Sequence, residues 1–188
     1  MIPEKKRIYI VVKTYPTISK EYSELVCTAG ILEDGSWIRL YPVPFRKLDF
    51  DKKYPKYTWI ETEVVRNTKD FRPETYRPNL STLGVEPSSR VNWDERRKII
   101  FKSQKIYTDM QELIDKAKLD GTSLAIFKPT KIIDFVAEET DREWDSNKLE
   151  ILEELSKQQN LFQTPEEIEK EFKVVRKVPY KFFYKFED

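Results

Sequence analysis

Three side chains suited to holding a nucleic acid recur at every second position of one short segment. Trp37, Arg39 and Tyr41 alternate through Ser36-Trp-Ile-Arg-Leu-Tyr-Pro42, the spacing that puts side chains on one face of a β-strand. Two rings can stack on flat bases, and a guanidinium between them can hold phosphate. Arg46 follows, in a stretch from Phe45 to Tyr57 that alternates rings and cations. A second group lies in Arg72-Pro-Glu-Thr-Tyr-Arg-Pro78. Its prolines pin the backbone, so Arg72 and Arg77 can clamp phosphate with Tyr76 between them. The candidate contacts are therefore Trp37, Arg39, Tyr41, Arg46, Arg72, Tyr76 and Arg77. The same residue types also have a plainer use. Trp and Tyr are common strand residues that a second layer can cover, rings can cap a barrel mouth, and Glu74 can pair with an arginine. The residues leave both readings open.

Other chemistries are largely excluded. The chain has no histidine, so no Ser–His or Cys–His nucleophile and no His-ligated zinc can form. Cys27 is the only cysteine; it makes no intramolecular disulfide, and its strand neighbours suggest a buried, inert thiol. The four glycines form neither a P-loop nor a dinucleotide fingerprint. Asp34, Glu61, Glu63, Asp70 and Glu74 leave carboxylate–Mg²⁺ chemistry conceivable, and Lys13, Thr14 and Thr17 fit a PUA-like (ASCH-type) hydrolase by analogy. Neither set carries a signature. No catalytic residue, metal or cofactor is assigned, and a binding module is preferred to an enzyme.

A net charge of +1 argues against a general polyanion binder. The charge is uneven, however. Residues 1–103 hold 20 Lys and Arg against 14 Asp and Glu, while residues 104–188 hold 14 against 19. A phosphate backbone would be drawn to the first part, and a basic protein partner to the acidic second part. No apolar run is long enough for a signal core or a membrane span, so a soluble cytoplasmic protein is expected.

The elements that must position these groups read as follows. Arg7 to Lys13 is a strand. Tyr22 to Leu32 and Ser36 to Val43 form a hairpin, for which Asp34-Gly35 suggests a two-residue type I′ turn. That turn would oppose Leu32 to Trp37, Ile31 to Ile38 and Gly30 to Arg39, with Ile31, Ile38, Ala29 and Leu40 on the core face. Lys56 to Arg66 is a further strand with Ile60, Thr62 and Val64 inward. Asn92 with Glu95 starts a helix running to about Lys102. Thr108 with Gln111 starts another, which Gly121 ends. Ser123 to Phe127 and Lys131 to Ala137 are short strands, and a helix runs from about Ser146 to Gln159. Thr164-Pro165-Glu166-Glu167 is a strong helix start, and Lys173 to Phe186 is strand-like.

Cys27-Thr-Ala-Gly-Ile31, Asp34-Gly-Ser-Trp-Ile-Arg39 and Phe45-Arg46 resemble the motifs of a group of prokaryotic dual OB-domain (DuOB-like) proteins. Ser123-Leu-Ala-Ile-Phe-Lys-Pro129 is similar to the strand that opens their second barrel. The likeness covers about two thirds of the chain. It implies two OB-like barrels and a nucleic-acid-binding role in antiviral or mobile-element settings, and it supplies no catalytic residue. The acidic helical stretch from Trp144 to Phe172 departs from it. The expectation is a strand-rich α+β protein. A small OB-like or PUA-like barrel (residues 1–80) precedes a second mixed α/β barrel-like domain (91–188). Single-stranded DNA or RNA is the favoured partner. The alternatives are a protein-interaction subunit of a larger complex, or a hydrolase acting on nucleotides or RNA.

Overall fold

In the computed structural model, which describes residues 2–19, 23–87, 92–158, 164 and 173–188, five strands close a barrel. The strands of the first part are β1 (Glu4–Lys13), β2 (Thr17–Ser19), β3 (Ser23–Leu32), β4 (Trp37–Val43), β5 (Trp59–Arg66), β6 (Thr75–Pro78) and β7 (Gly84–Val85). Pairing runs β1-β3-β4-β6-β5, and β5 returns to β1. Every ring contact is antiparallel except β4 with β6. β2 and β7 are short additions to β3 and β5. This is the strand-rich, OB-like barrel expected from the sequence.

Alternation fills the barrel. Ile8 and Ile10 of β1, Ile38 and Leu40 of β4, and Ile60 and Val64 of β5 are fully buried. Each contributes roughly 1.5–3 kcal/mol by leaving water. The stretch from Phe45 to Tyr57 forms two single 3-10 turns, Phe45–Lys47 and Phe50–Lys52. It plugs one end of the barrel: Tyr54 is buried, its hydroxyl lies 3.0 Å from Thr28 Oγ1, and Phe45 packs edge-on against it. Burial pushes the Tyr54 phenol up to about 12, with Thr28 opposing. Phe45 and Tyr54 thus cap the barrel rather than wave free, whereas Phe50 is exposed and Tyr57 packs against Trp93.

The hairpin differs from expectation by one residue. Ile31 pairs with Trp37, Gly30 with Ile38, Ala29 with Arg39 and Thr28 with Leu40. Gly35 has φ +89° whereas Asp34 is not at positive φ, so a type I′ turn is ruled out. Instead Gly35 N donates to Leu32 O and Leu32 N to Ser36 O, at 2.9 Å each. The Asp34 carboxylate accepts from Ser36 N and Oγ at 2.8 and 2.6 Å. This is a three-residue loop closed by a left-handed glycine, and its extra residue shifts the ladder. Ile38 and Leu40 therefore line the interior with Gly30 and Thr28. Trp37, Arg39 and Tyr41 share the outer face with Ala29 and Ile31.

The second part is mixed α/β. It comprises α1 (Trp93–Ile100), β8 (Ile106–Tyr107), α2 (Met110–Asp120), β9 (Ile126–Phe127), β10 (Lys131–Glu139), α3 (Ser146–Gln158) and β11 (Tyr180–Glu187). α1 begins in the expected capping box of Asn92 and Glu95, and its Arg96 lies over the rings of Tyr57 and Trp93 on the barrel's outer wall. α2 is capped by Asp109, not Thr108, and ends at left-handed Gly121. β8 pairs with β9 in parallel, and β10 with β11 antiparallel; both sheets are two-stranded among the described residues. The helix expected to start at Thr164 lies outside the described residues from position 165 on. None of the described helices is long and apolar enough to cross a membrane.

Candidate nucleic-acid interface

The outer face of β4 does not present Trp37, Arg39 and Tyr41 as one open row. Arg39 is only 9 % exposed. Its Nη1 donates to Cys27 Sγ at 2.9 Å and its Nη2 to Ser123 Oγ at 2.7 Å. Ser123 in turn donates through N and Oγ to Glu74 Oε1 at 2.8 and 2.5 Å. The segment after α2 is thus latched over Arg39, and two buried opposite charges are joined through one hydroxyl. This corrects the expectation that Arg39 is free to hold phosphate: the guanidinium is buried, and both of its terminal nitrogens donate to groups of the chain itself. It also corrects the expectation that Glu74 pairs with a neighbouring arginine.

The latch divides the row. On one side Trp37 and Tyr76 border a cleft of about 370 Å³ with Gln104, Lys105 and Tyr107. Lys105 is ion-paired with Glu112. Tyr76 is half-buried against the core, with Arg66 5.8 Å from its ring. Arg46 lies elsewhere, pairing with Glu24 at 2.8 Å and reaching the Lys173 carbonyl at 3.2 Å. Glu24 is buried, and that burial raises its pKa despite Arg46. Arg46 therefore ties the second part to the barrel and is not brought near the other candidates.

On the other side Tyr41, Arg72 and Arg77 come together. A groove of about 410 Å³ is bordered by Tyr41 and Pro42 of β4, Arg77 of β6, and Lys69, Phe71 and Arg72 of the β5–β6 connection. Ser19, in the connection between β1 and β3, also borders it. In barrel numbering it is framed by strands 2 and 3 and by the loops joining strands 1–2 and 4–5, which is where OB-folds bind oligonucleotides and oligosaccharides. Phe71 is 84 % exposed. Lys69 and Arg77 are exposed and form no ion pair among the described residues. Lys69 and Phe71 were not singled out from the sequence. The signal for Phe71 is a ring set between Asp70 and Arg72-Pro73, where a tight polar turn leaves no room to bury it.

The one acid among the groove's described residues is neutralised. Asp70 holds Arg72 through several hydrogen bonds, the shortest ion-pair distance being 2.5 Å. Those bonds hold the Asp70 carboxyl at about 2, against an ordinary 3.8. A carboxylate whose pKa is depressed by folding stabilises fully above its unfolded value and loses that contribution as pH falls through the folded value. Asp70→Asn should therefore cost about 2 kcal/mol at neutral pH. Its stability deficit relative to wild type should close as pH falls from about 4 to 2, checked by urea denaturation across that range.

Among the described residues no group of three His, Cys, Asp or Glu is placed to hold a metal ion. No curated protein and no solved structure matches the chain. Residues 106–188 match the family model described as Domain of unknown function (DUF8757). Residues 4–102 match the model described as Domain of unknown function (DUF8758), which takes in the whole barrel, the groove and α1. The chain belongs to the DUF8758 family.

Proposed function

We propose that this protein is a non-catalytic module that binds single-stranded nucleic acid in the groove between the two barrel loops. The observation that carries the reading is the coincidence of position and chemistry: two rings and three cations border the groove at the ligand-binding place of an OB-like barrel. Lys69 and Arg77 provide charge for phosphates, Arg72 being held by Asp70, and Tyr41 and the exposed Phe71 provide faces for bases. The two cations unpaired among the described residues favour an oligonucleotide over an oligosaccharide. A role in antiviral defence or mobile elements rests on the sequence resemblance.

Fluorescence anisotropy with labelled single-stranded DNA and RNA tests this. If Lys69 and Arg77 each meet a phosphate, affinity should fall about 7-fold between 50 and 200 mM salt. Arg77→Ala should weaken binding and lower the log–log salt slope by about 0.7. Phe71→Ala should cost roughly 1–3 kcal/mol with the salt slope unchanged, the mark of a lost stacking contact. Absence of binding at low salt would overturn the proposal.

A further inference from the structure

The ribbon of β10 and β11 carries a row of exposed rings that no described residue covers. The two strands pair from Lys131↔Glu187 to Glu139↔Tyr180, and neither pairs with another strand among the described residues. Phe135, Tyr180, Phe182 and Tyr184 share one face. Phe135 and Phe182 lie 5.9 Å apart and nearly parallel, Phe135 and Tyr184 are 5.0 Å apart, and Tyr180 and Phe182 are 6.2 Å apart. These four side chains are between 39 % and 63 % exposed. An isolated two-stranded ribbon is marginal in water, and a contiguous apolar patch of this kind marks an interface.

Charge decides between occupants. On the opposite face Asp134 sits across from Lys185 and Glu138 across from Lys181. The aromatic face carries no cation, only Glu139 at its end, which accepts from the Tyr180 hydroxyl at 3.2 Å. A nucleic acid would bring phosphates to a face with nothing to neutralise them. Area points to self-association. Four half-exposed rings leave about 400 Å² for burial, and the flanking Ile132 and Ile133 raise this to about 500 Å². That is the apolar share of an interface burying about 800 Å² per subunit.

We infer that this face packs against the same face of a second copy, making the protein a two-fold dimer through its C-terminal ribbon. A single near-neutral patch packs on itself with little repulsion, and the partner supplies the layer the ribbon lacks. This stands independently of the groove, which lies on the barrel.

Sedimentation velocity on the full chain should show a species of twice 22.6 kDa at micromolar concentration. Phe182→Lys, at an already exposed position, should raise the dimer dissociation constant at least about 100-fold and leave the far-ultraviolet circular dichroism unchanged. Lys181→Gln, on the opposite face, should leave the dimer intact. Tyr184→Cys in a Cys27→Ser background should cross-link between chains with a short bis-maleimide, a readout independent of folding stability. A monomeric wild type would overturn the inference, and so would a dimer that survives Phe182→Lys. A monomer whose oligonucleotide affinity drops with Phe182→Lys would overturn it in favour of nucleic acid on this face.

Discussion

Gly30→Val should prevent the barrel from closing. Gly30 lies in β3 opposite Ile10 of β1 and Ile38 of β4. A Cβ there would meet the Tyr9 carbonyl oxygen and come within 2.6 Å of Ile8 Cγ2 and 3.1 Å of the Tyr9 carbonyl carbon. Two of these atoms are backbone, so no rotamer change relieves the contact. β1 also shifts register between Ile10 and Val12, so this is where the strand bends around the barrel. A strand glycine at such a bend permits backbone approach that no other residue allows. Overpacking a core costs about 1–3 kcal/mol and more when backbone must move, so the expected loss is at least about 3 kcal/mol. Gly84→Ala is the matched control, because its Cβ would meet nothing closer than 4.0 Å. Guanidinium denaturation of both variants checks the prediction: a Gly30→Val chain within 1 kcal/mol of wild type would contradict the packing described.

The second large effect belongs to the latch. Arg39→Ala would leave Glu74 buried and joined only to Ser123. Removing one partner of a buried charge pair costs about 3–5 kcal/mol, mostly through the uncompensated charge left behind. Arg39 Nε and Glu74 Oε2 already have no partner among the described residues, so the arrangement has little reserve. The loss should appear as destabilisation and as faster proteolysis after α2, where Ser123 is released from the barrel. Arg77→Ala, an exposed position, should stay within about 0.5 kcal/mol of wild type. If both arginine variants lost oligonucleotide binding equally with unchanged stability, Arg39 would be a ligand contact and the latch would be irrelevant.

Much of the local structure was legible in the residues. The Asn92 capping box, the Gly121 stop and the inward set Ile60, Thr62 and Val64 follow from local hydrogen bonding and period-two burial. All three appear as expected. The hairpin register was not legible, because Asp34-Gly35 suits both a two-residue and a three-residue loop. The choice between them rests on the fit of the turn to its surroundings. Lys102 donates to the Glu33 carbonyl at 2.6 Å, and the Lys102 carbonyl crowds Gly35 itself. A single residue of slip decided which face Ala29 and Ile31 occupy.

The seven candidate contacts show the same division. Their chemistry was readable because ring and cation types are intrinsic to each residue. Which of them face water was not. Arg39 and Arg77 have the same side chain, yet one is bonded to Ser123, 84 positions away, and the other is exposed beside Phe71. The amino-acid order alone determined a histidine-free, strand-rich chain with a basic first part and the periodicities of its strands and helices, since those depend on neighbours within a few residues. Tertiary structure alone decided that the Trp37–Tyr41 row is split by a latch, that Tyr41 joins Phe71 in a groove, and that the C-terminal rings lie open. Those outcomes depend on contacts between distant segments, and no local pattern encodes them.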